Sequence, residues 1–305
     1  MATLLKRLVF GTLLAGILLI LCWLDYRAVN MPGVFLFPVL VGFVLLGGNE
    51  IIFLCRENRV FPFPGVVHLG NLLTVGTAWG MGLFWIHWET MHPDRLARAW
   101  DLAAVSSLAT LVAVAATVFL AFVVEMQRYR SPGGATVNIA GAVFAVCYIG
   151  VLAGFLVQLR VAFGLEALVS LLMIVKLGDT GAYAVGRLFG THRLAPRLSP
   201  GKTLEGAVGA ILFGVLGAFI SFHWLLPQLG LKAGIPHWFP MLAYGVILAV
   251  VGMIGDLAES LIKRDAGQKD SSRLVPGLGG ALDLIDSALM AAPVAYLFWL
   301  FGWLN

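Results

Sequence analysis

Charge is scarce in this chain: 12% of its 305 residues are Asp, Glu, Lys or Arg, against 60% hydrophobic residues and a mean hydropathy of +0.94. Soluble domains carry about 25% charged residues, so a soluble pair of domains is excluded. Soluble nucleic-acid binders and disordered regulators go with it, because both need far more polar sequence. Cysteine is also sparse. Cys22, Cys55 and Cys147 show no CxxC spacing and lie in or beside apolar runs. That excludes a disulfide scaffold and reads them as buried thiols, not as a metal site. The histidines at 68, 87, 92, 192, 223 and 237 are scattered without ligand spacing, and no repeat or low-complexity stretch interrupts the chain.

What is abundant is apolar sequence in runs long enough to cross a bilayer, which takes roughly 20 residues at about 1.5 Å each. About nine such runs are predicted, near 8–24, 33–54, 66–87, 101–124, 137–157, 164–186, 205–226, 241–262 and 283–303. The fold class expected is therefore all-α, a polytopic integral membrane protein. Breaks carry turn residues: Met31-Pro32-Gly33, Phe61-Pro62-Phe63-Pro64-Gly65, Ser131-Pro132-Gly133-Gly134 and Ile235-Pro236. The first run follows Lys6 and Arg7 and lacks an Ala-x-Ala site, so it reads as a retained anchor.

Lys and Arg accumulate on one side, with Lys6, Arg7, Arg56, Arg59, Arg128, Arg130, Arg187, Arg193, Arg197, Lys202, Lys263, Arg264, Lys269 and Arg273 against Arg27, Arg95, Arg98, Arg160 and Lys232. This orients the amino terminus to the cytoplasm. The net charge of +4 follows from that bias and speaks for lipid head groups, not nucleic acid. Trp23, Trp85, Trp88, Trp100, Trp224, Trp238, Trp299 and Trp303 fall near span ends, where indoles anchor at the interface.

The apolar runs of the first half are nearly free of charge, whereas the second half places ionisable groups inside or against them, which divides the chain into amino-terminal membrane helices (1–130) and a carboxyl-terminal membrane catalytic domain (131–305). One cluster runs from Lys176 through Asp179-Thr180-Gly181-Ala182-Tyr183 to Ser199-Pro200-Gly201-Lys202-Thr203-Leu204-Glu205-Gly206. A second runs from Gly255-Asp256-Leu257-Ala258-Glu259-Ser260 through Lys263-Arg264 and Lys269-Asp270 to Gly279-Gly280, Asp283 and Asp286.

Asp256, Ser260 and Lys263 share one helical face, and Asp283 and Asp286 share another. Gathered together, Asp256, Asp283 and Asp286 would repel unless a cation sat among them, and hard oxygen ligands suit Mg²⁺. The bland readings stand beside this one. Asp283 and Asp286 begin a helix and suit its positive end; Asp256 with Lys263 makes one structural ion pair; Gly186 and Gly190 report helix packing. Gly201-Lys202-Thr203 is not a P-loop, because Pro196 stands where that pattern needs glycine. It reads as a turn at 199–201 leading into a helix start that attracts phosphate.

These blocks resemble the phosphatidate cytidylyltransferase family. The resemblance rests on Asp179 to Tyr183, Ser199 to Gly206, Gly255 to Ser260, and the carboxyl-terminal signature of Ser260 to Arg264, Lys269-Asp270, Gly279-Gly280 and Asp283 with Asp286. Four blocks in order over about 110 residues are far more specific than any one motif. The chain departs from the family pattern at Leu278, Leu284 and Gly201, where His, Arg and Lys are usual.

The resemblance implies transfer of CMP from CTP to phosphatidate, giving CDP-diacylglycerol and pyrophosphate. It implies Mg²⁺ on Asp256, Asp283 and Asp286, with a second cation such as K⁺ beside it. Lys263, Ser260, Lys202 and Asp270 are the expected catalytic residues; Arg264, Lys269, Ser199, Thr203, Asp179 and Tyr183 are expected to bind substrate. The further expectations are a homodimer in a bacterial inner membrane, with its active site facing the cytoplasm. A catalytically silent paralogue and an ion-coupled secondary transporter are the alternatives.

Overall fold

The computed structural model describes residues 16–28, 31–91, 99–231, 236–269, 271 and 280–304. Its elements are α1 (16–27), α2 (Leu36–Glu57), α3 (Pro64–Met91), α4 (Ala99–Arg128), α5 (Ala135–Ala145), a π-helical turn (Val146–Val151), α6 (Leu152–Phe189), β1 (Arg193–Ala195), β2 (Ser199–Thr203), α7 (Leu204–Ile220), a second π-helical turn (Ser221–Leu225), α8 (Leu226–Gln228), α9 (Trp238–Asp265) and α10 (Ala281–Leu300). The chain is an all-α polytopic membrane protein.

Among the described residues seven helical stretches are long and apolar enough to cross a membrane. One of them, Ala135–Phe189, has 55 residues. At about 1.5 Å per residue this is more than twice a bilayer core, so it cannot cross once as a straight rod. It breaks at Gly164, whose φ of 87° and ψ of −179° leave the helical region. An L side chain is strained at that φ, which is why glycine stands there. The two halves correspond to the runs expected at 137–157 and 164–186. The first expected run, 8–24, is described only from residue 16.

The chain forms two compact units. The first contains Met1–Ala162 and Asp265–Leu284. A buried ion pair ties its early segments together: Arg160 Nε donates to Asp25 Oδ2 at 2.5 Å, and Asp25 also accepts from the backbone N–H of Gly33 and Phe35. The Trp79 indole donates to the Pro32 carbonyl at 3.0 Å and stacks on Phe37. In this way α3 fixes the turn that precedes α2.

The second unit contains Phe163–Arg264 and Ile285–Asn305. Its core holds Leu171, Ile174, Phe222, Tyr244, Leu248 and Leu289, all fully buried. Trp299 belongs to that core. It is buried against Phe163 and Phe222, so packing accounts for it and interfacial anchoring does not. Trp23, Trp88, Trp100, Trp224, Trp238 and Trp303 are exposed, as anchors would be.

The antiparallel pair β1–β2, with Arg193 opposite Thr203 and Ala195 opposite Ser199, replaces the turn expected at 199–201. The turn lies at 196–198 instead. Three residues of one strand against five of the other give too short a pattern of alternation to read from sequence.

Candidate active site

The carboxyl end of the α6 segment, strand β2, α9 and α10 supply the polar residues of the second unit. On α9 the spacing places Asp256, Glu259 and Lys263 one below another, since residues three and four apart share a helical face. Lys263 Nζ lies 3.0 Å from Glu259 Oε2 and both side chains are buried. Lys263 and Arg264 occupy the last turn of α9, where cations suit the negative end of the helix dipole.

The approach of α10 depends on Gly255. A Cβ there would meet the Asp286 carbonyl at 2.8 Å and Ser287 Cα at 3.0 Å. Without one, the backbones close up and Asp286 reaches the α9 carboxylates. Asp256, Glu259 and Asp286 each offer an oxygen, and the three oxygens lie within 4.8 Å of one another. Glu259 and Asp286 are buried, whereas Asp256 is partly open.

Lys202 reaches this group from β2. Its Nζ lies 2.7 Å from Asp256 Oδ2. The hairpin and α7 hold it there: Thr203 caps α7 by accepting from Gly206 N–H at 3.1 Å. Gly186 and Gly206 pass closely enough that a Cβ on Gly186 would lie 3.5 Å from Gly206 Cα. The Gly186-x₃-Gly190 spacing thus reports packing at its first glycine. Glu205 accepts from the backbone N–H of Thr191 and His192 and pairs with the His192 ring at 2.7 Å, closing the base of the hairpin.

On α6, Lys176 pairs with Asp179 at 3.3 Å. Asp179 interacts electrostatically with Asp256 and Lys202, and Asp286 does so with Asp256, Lys176 and Asp179.

The residues expected from sequence therefore divide. Asp256, Asp286, Lys202, Lys263 and Asp179 are brought into one electrostatic group. Ser260 is half-buried on α9, and Arg264 Nε donates to the Leu198 carbonyl at 3.1 Å. Ser199 and Thr203 lie in β2, Thr203 as a helix cap. Tyr183 is exposed on α6, its hydroxyl accepting from Arg187 at 2.8 Å. Lys269 is exposed in the first unit. Asp270 and Leu278 lie outside the described residues. At Gly201 a side chain would meet open space, so nothing steric excludes the lysine usual there.

Asp283 has a different set of neighbours, in the first unit. Its Oδ2 accepts from the Gly280 N–H at 2.7 Å and lies 3.2 Å from the Ser271 hydroxyl. This is the reciprocal half of a capping box at the start of α10. The other half comes from Glu50 of α2, which accepts from Ala281 N–H at 2.8 Å and Leu282 N–H at 2.9 Å and lies 3.0 Å from the Ser271 hydroxyl. Asp256 and Lys263 do not make the single ion pair considered from sequence, since each has the partner given above.

Sequence reasoning missed two acidic residues. Glu259 was legible, three positions after Asp256 on the same face. Glu50 stands alone in an apolar span, and no local pattern marks it.

Three carboxylates against Lys202 and Lys263 leave one negative charge in excess. A set of hard oxygens this close fits a hard divalent cation. The residues present are therefore compatible with Mg²⁺.

A phosphatidate cytidylyltransferase of Haemophilus influenzae is 40% identical over 138 residues, covering 45% of this chain and 47% of that protein. The Brucella suis phosphatidate cytidylyltransferase is 43% identical over 137 residues, covering 45% and 47%. That of Staphylococcus epidermidis is 37% identical over 155 residues, covering 51% and 56%. The chain spans about half the length of the curated relatives it matches. The model of the Cytidylyltransferase family matches residues 5–301, and the chain belongs to that family.

Proposed function

We propose that this protein is a membrane nucleotidyltransferase that moves CMP from CTP to phosphatidate, forming CDP-diacylglycerol and pyrophosphate. The observation that carries the reading is the convergence of Asp256, Glu259 and Asp286 within 4.8 Å, flanked by Lys202 and Lys263. Family membership and the names of the relatives support it.

In this reaction a phosphate oxygen of the lipid attacks the α-phosphorus of CTP, and the bond to the β-phosphate oxygen breaks. The nucleophile is already anionic near neutral pH, so no strong general base is needed. The barrier lies in bringing two polyanions together. Asp256, Glu259 and Asp286 would hold Mg²⁺, with a second cation such as K⁺ beside it. When bound, such an ion neutralises charge on the triphosphate and on the departing pyrophosphate.

The protein's own groups do the rest. Lys202, the more exposed of the two lysines, leaves Asp256 for a phosphate oxygen as substrate arrives. Lys263 keeps Glu259 oriented and Ser260, beside it, donates to phosphate. Arg264 is held on the Leu198 carbonyl and adds cationic character to the same face. Asp179 orients Lys176; Ser199, Thr203 and Tyr183 border the nucleotide's approach. Asp283 fixes the start of α10, and Lys269 and Asp270 precede that start in sequence. The site faces the cytoplasm of a bacterial inner membrane, where CTP is soluble and phosphatidate stays in the leaflet, and the protein works as a homodimer.

The test is formation of lipid-extractable label from labelled CTP, phosphatidate and Mg²⁺ by the full chain in detergent. Activity should vanish on chelation and return with Mg²⁺. Asp256→Asn and Asp286→Asn should lower kcat by about 10²–10³-fold. CTP binding without turnover would instead identify a silent paralogue, and nucleotide-independent ion flux in liposomes a transporter. Wild-type turnover in both variants would remove the metal assignment.

A further inference from the structure

A second anion site is built into the first unit, from residues that take no part in the chemistry above. A cavity of about 490 Å³ is lined by Arg56, Phe61, Pro62, Phe63, Pro64 and Arg128, within the range of about 300–1,000 Å³ typical of small-molecule sites. We propose that it holds the phosphate of an anionic phospholipid.

Three positive features converge there. Arg56 lies in the last turn of α2, Arg128 ends α4, and Pro64 begins α3. The amino-terminal end of a 28-residue helix adds the positive pole of its dipole to two guanidinium groups. Among the described residues no carboxylate pairs with Arg56. Among the described residues Arg128 uses Nη1 alone for hydrogen bonds, at 2.8 Å from Glu125 Oε1 and 3.4 Å from the Phe61 carbonyl. A guanidinium has five N–H donors, so Nε and Nη2 remain for an anion.

The site is also braced. Asn138 of α5 accepts from the Phe61 N–H at 2.7 Å and donates to Glu125 Oε2 at 3.4 Å, while the Arg128 guanidinium lies 5.7 Å from the centre of the Phe63 ring. Glu125 and Phe63 thereby set the direction of Arg128 before any ligand arrives, which reduces the ordering cost of binding.

The walls decide between a lipid and a free phosphate. Two phenylalanines and two prolines surround the arginines, and the cavity lies where three apolar spans begin or end, the depth of lipid head groups. The arginines are on the face that the distribution of Lys and Arg assigns to the cytoplasm, where anionic lipids concentrate. A phosphodiester with glycerol and acyl chains can use both the guanidinium groups and the rings; inorganic phosphate can use only the former.

The experiment is native mass spectrometry of the full chain titrated in detergent with phosphatidylglycerol or with zwitterionic phosphatidylcholine. Phosphatidylglycerol is neither substrate nor product of the proposed reaction, so failure here and failure of the enzyme reading are separable. The wild-type protein should retain one phosphatidylglycerol about tenfold more tightly than phosphatidylcholine, and Arg56→Gln with Arg128→Gln should abolish that preference. Arg128→Lys should restore part of it. Should the double variant fold poorly, Arg56→Gln alone, which removes no ion pair, must still weaken retention several-fold. An unchanged preference in the variants overturns the proposal. So does full displacement of the lipid by millimolar inorganic phosphate, which would mark a free-phosphate site.

Discussion

Lys202 and Asp256 meet at 2.7 Å from separate elements, a strand and a helix. In this arrangement the lysine occupies one oxygen that a cation at the proposed site would need. Replacing it with an uncharged side chain of similar length should have opposite effects on metal and on turnover. Lys202→Met is expected to bind Mg²⁺ several-fold more tightly without nucleotide, yet to lose about 10²-fold in kcat, the scale of removing one charge-stabilising donor. Calorimetric titration and the product assay measure the two effects. Equal Mg²⁺ affinity in both proteins would mean that the ion pair does not compete.

Asp283 and Asp286 are one helical turn apart but have different neighbours, so their alanine variants should fail in different ways. Asp286→Ala should lower kcat by about 10²–10³-fold with an unchanged melting temperature. Asp283→Ala should keep its Mg²⁺ dependence and lose about 0.5–2 kcal/mol of stability, as for other lost helix caps. Thermal unfolding beside a Mg²⁺ titration of activity separates them. Loss of Mg²⁺ dependence in Asp283→Ala would return that residue to the metal.

Glu50 is buried in a membrane-spanning helix and satisfies two N–H groups at the start of α10. Glu50→Ala would orphan both, at about 1–3 kcal/mol for each unsatisfied buried donor. Faster hydrogen exchange confined to the amides of residues 281–282 is the expected local sign, together with a lower melting temperature. Protection equal to wild type would show that another group caps the helix.

Arg160 and Asp25 make a buried ion pair in the first unit. Arg160→Met should cost about 3–5 kcal/mol, because it leaves a fully buried carboxylate without its cation. The double variant Asp25→Asn with Arg160→Met should recover part of that loss in thermal unfolding. If the double variant is no more stable than the single one, the pair's worth lies elsewhere.

Much of this was readable from residue order alone. Apolar run length located the spans, and ionisable groups inside or beside those runs drew attention to Asp256, Asp286, Lys202 and Lys263. Glu259 was readable too, because a spacing of three on a helix is local information. Glu50 was not: its partners Ser271, Ala281 and Leu282 lie more than 220 residues away, and a lone carboxylate in an apolar run has no pattern. The capping role of Asp283 was equally hidden. Both fit a helix start and both fit a metal, and only the location of the first turn of α10 tells the third residue from the sixth. The hairpin at 193–203 escaped because its strands are too brief to alternate.

Gly255 acts as a gauge. Its missing methyl lets α9 and α10 close to backbone contact, and in the proposed metal site that closeness would set the spacing of the three acidic oxygens. Mg²⁺ takes oxygen at about 2.0–2.1 Å and Ca²⁺ at about 2.3–2.6 Å. One added carbon at position 255 would wedge the helices apart and bias the aperture toward the larger ion. Discrimination between the two ions would then be controlled by a residue that touches neither.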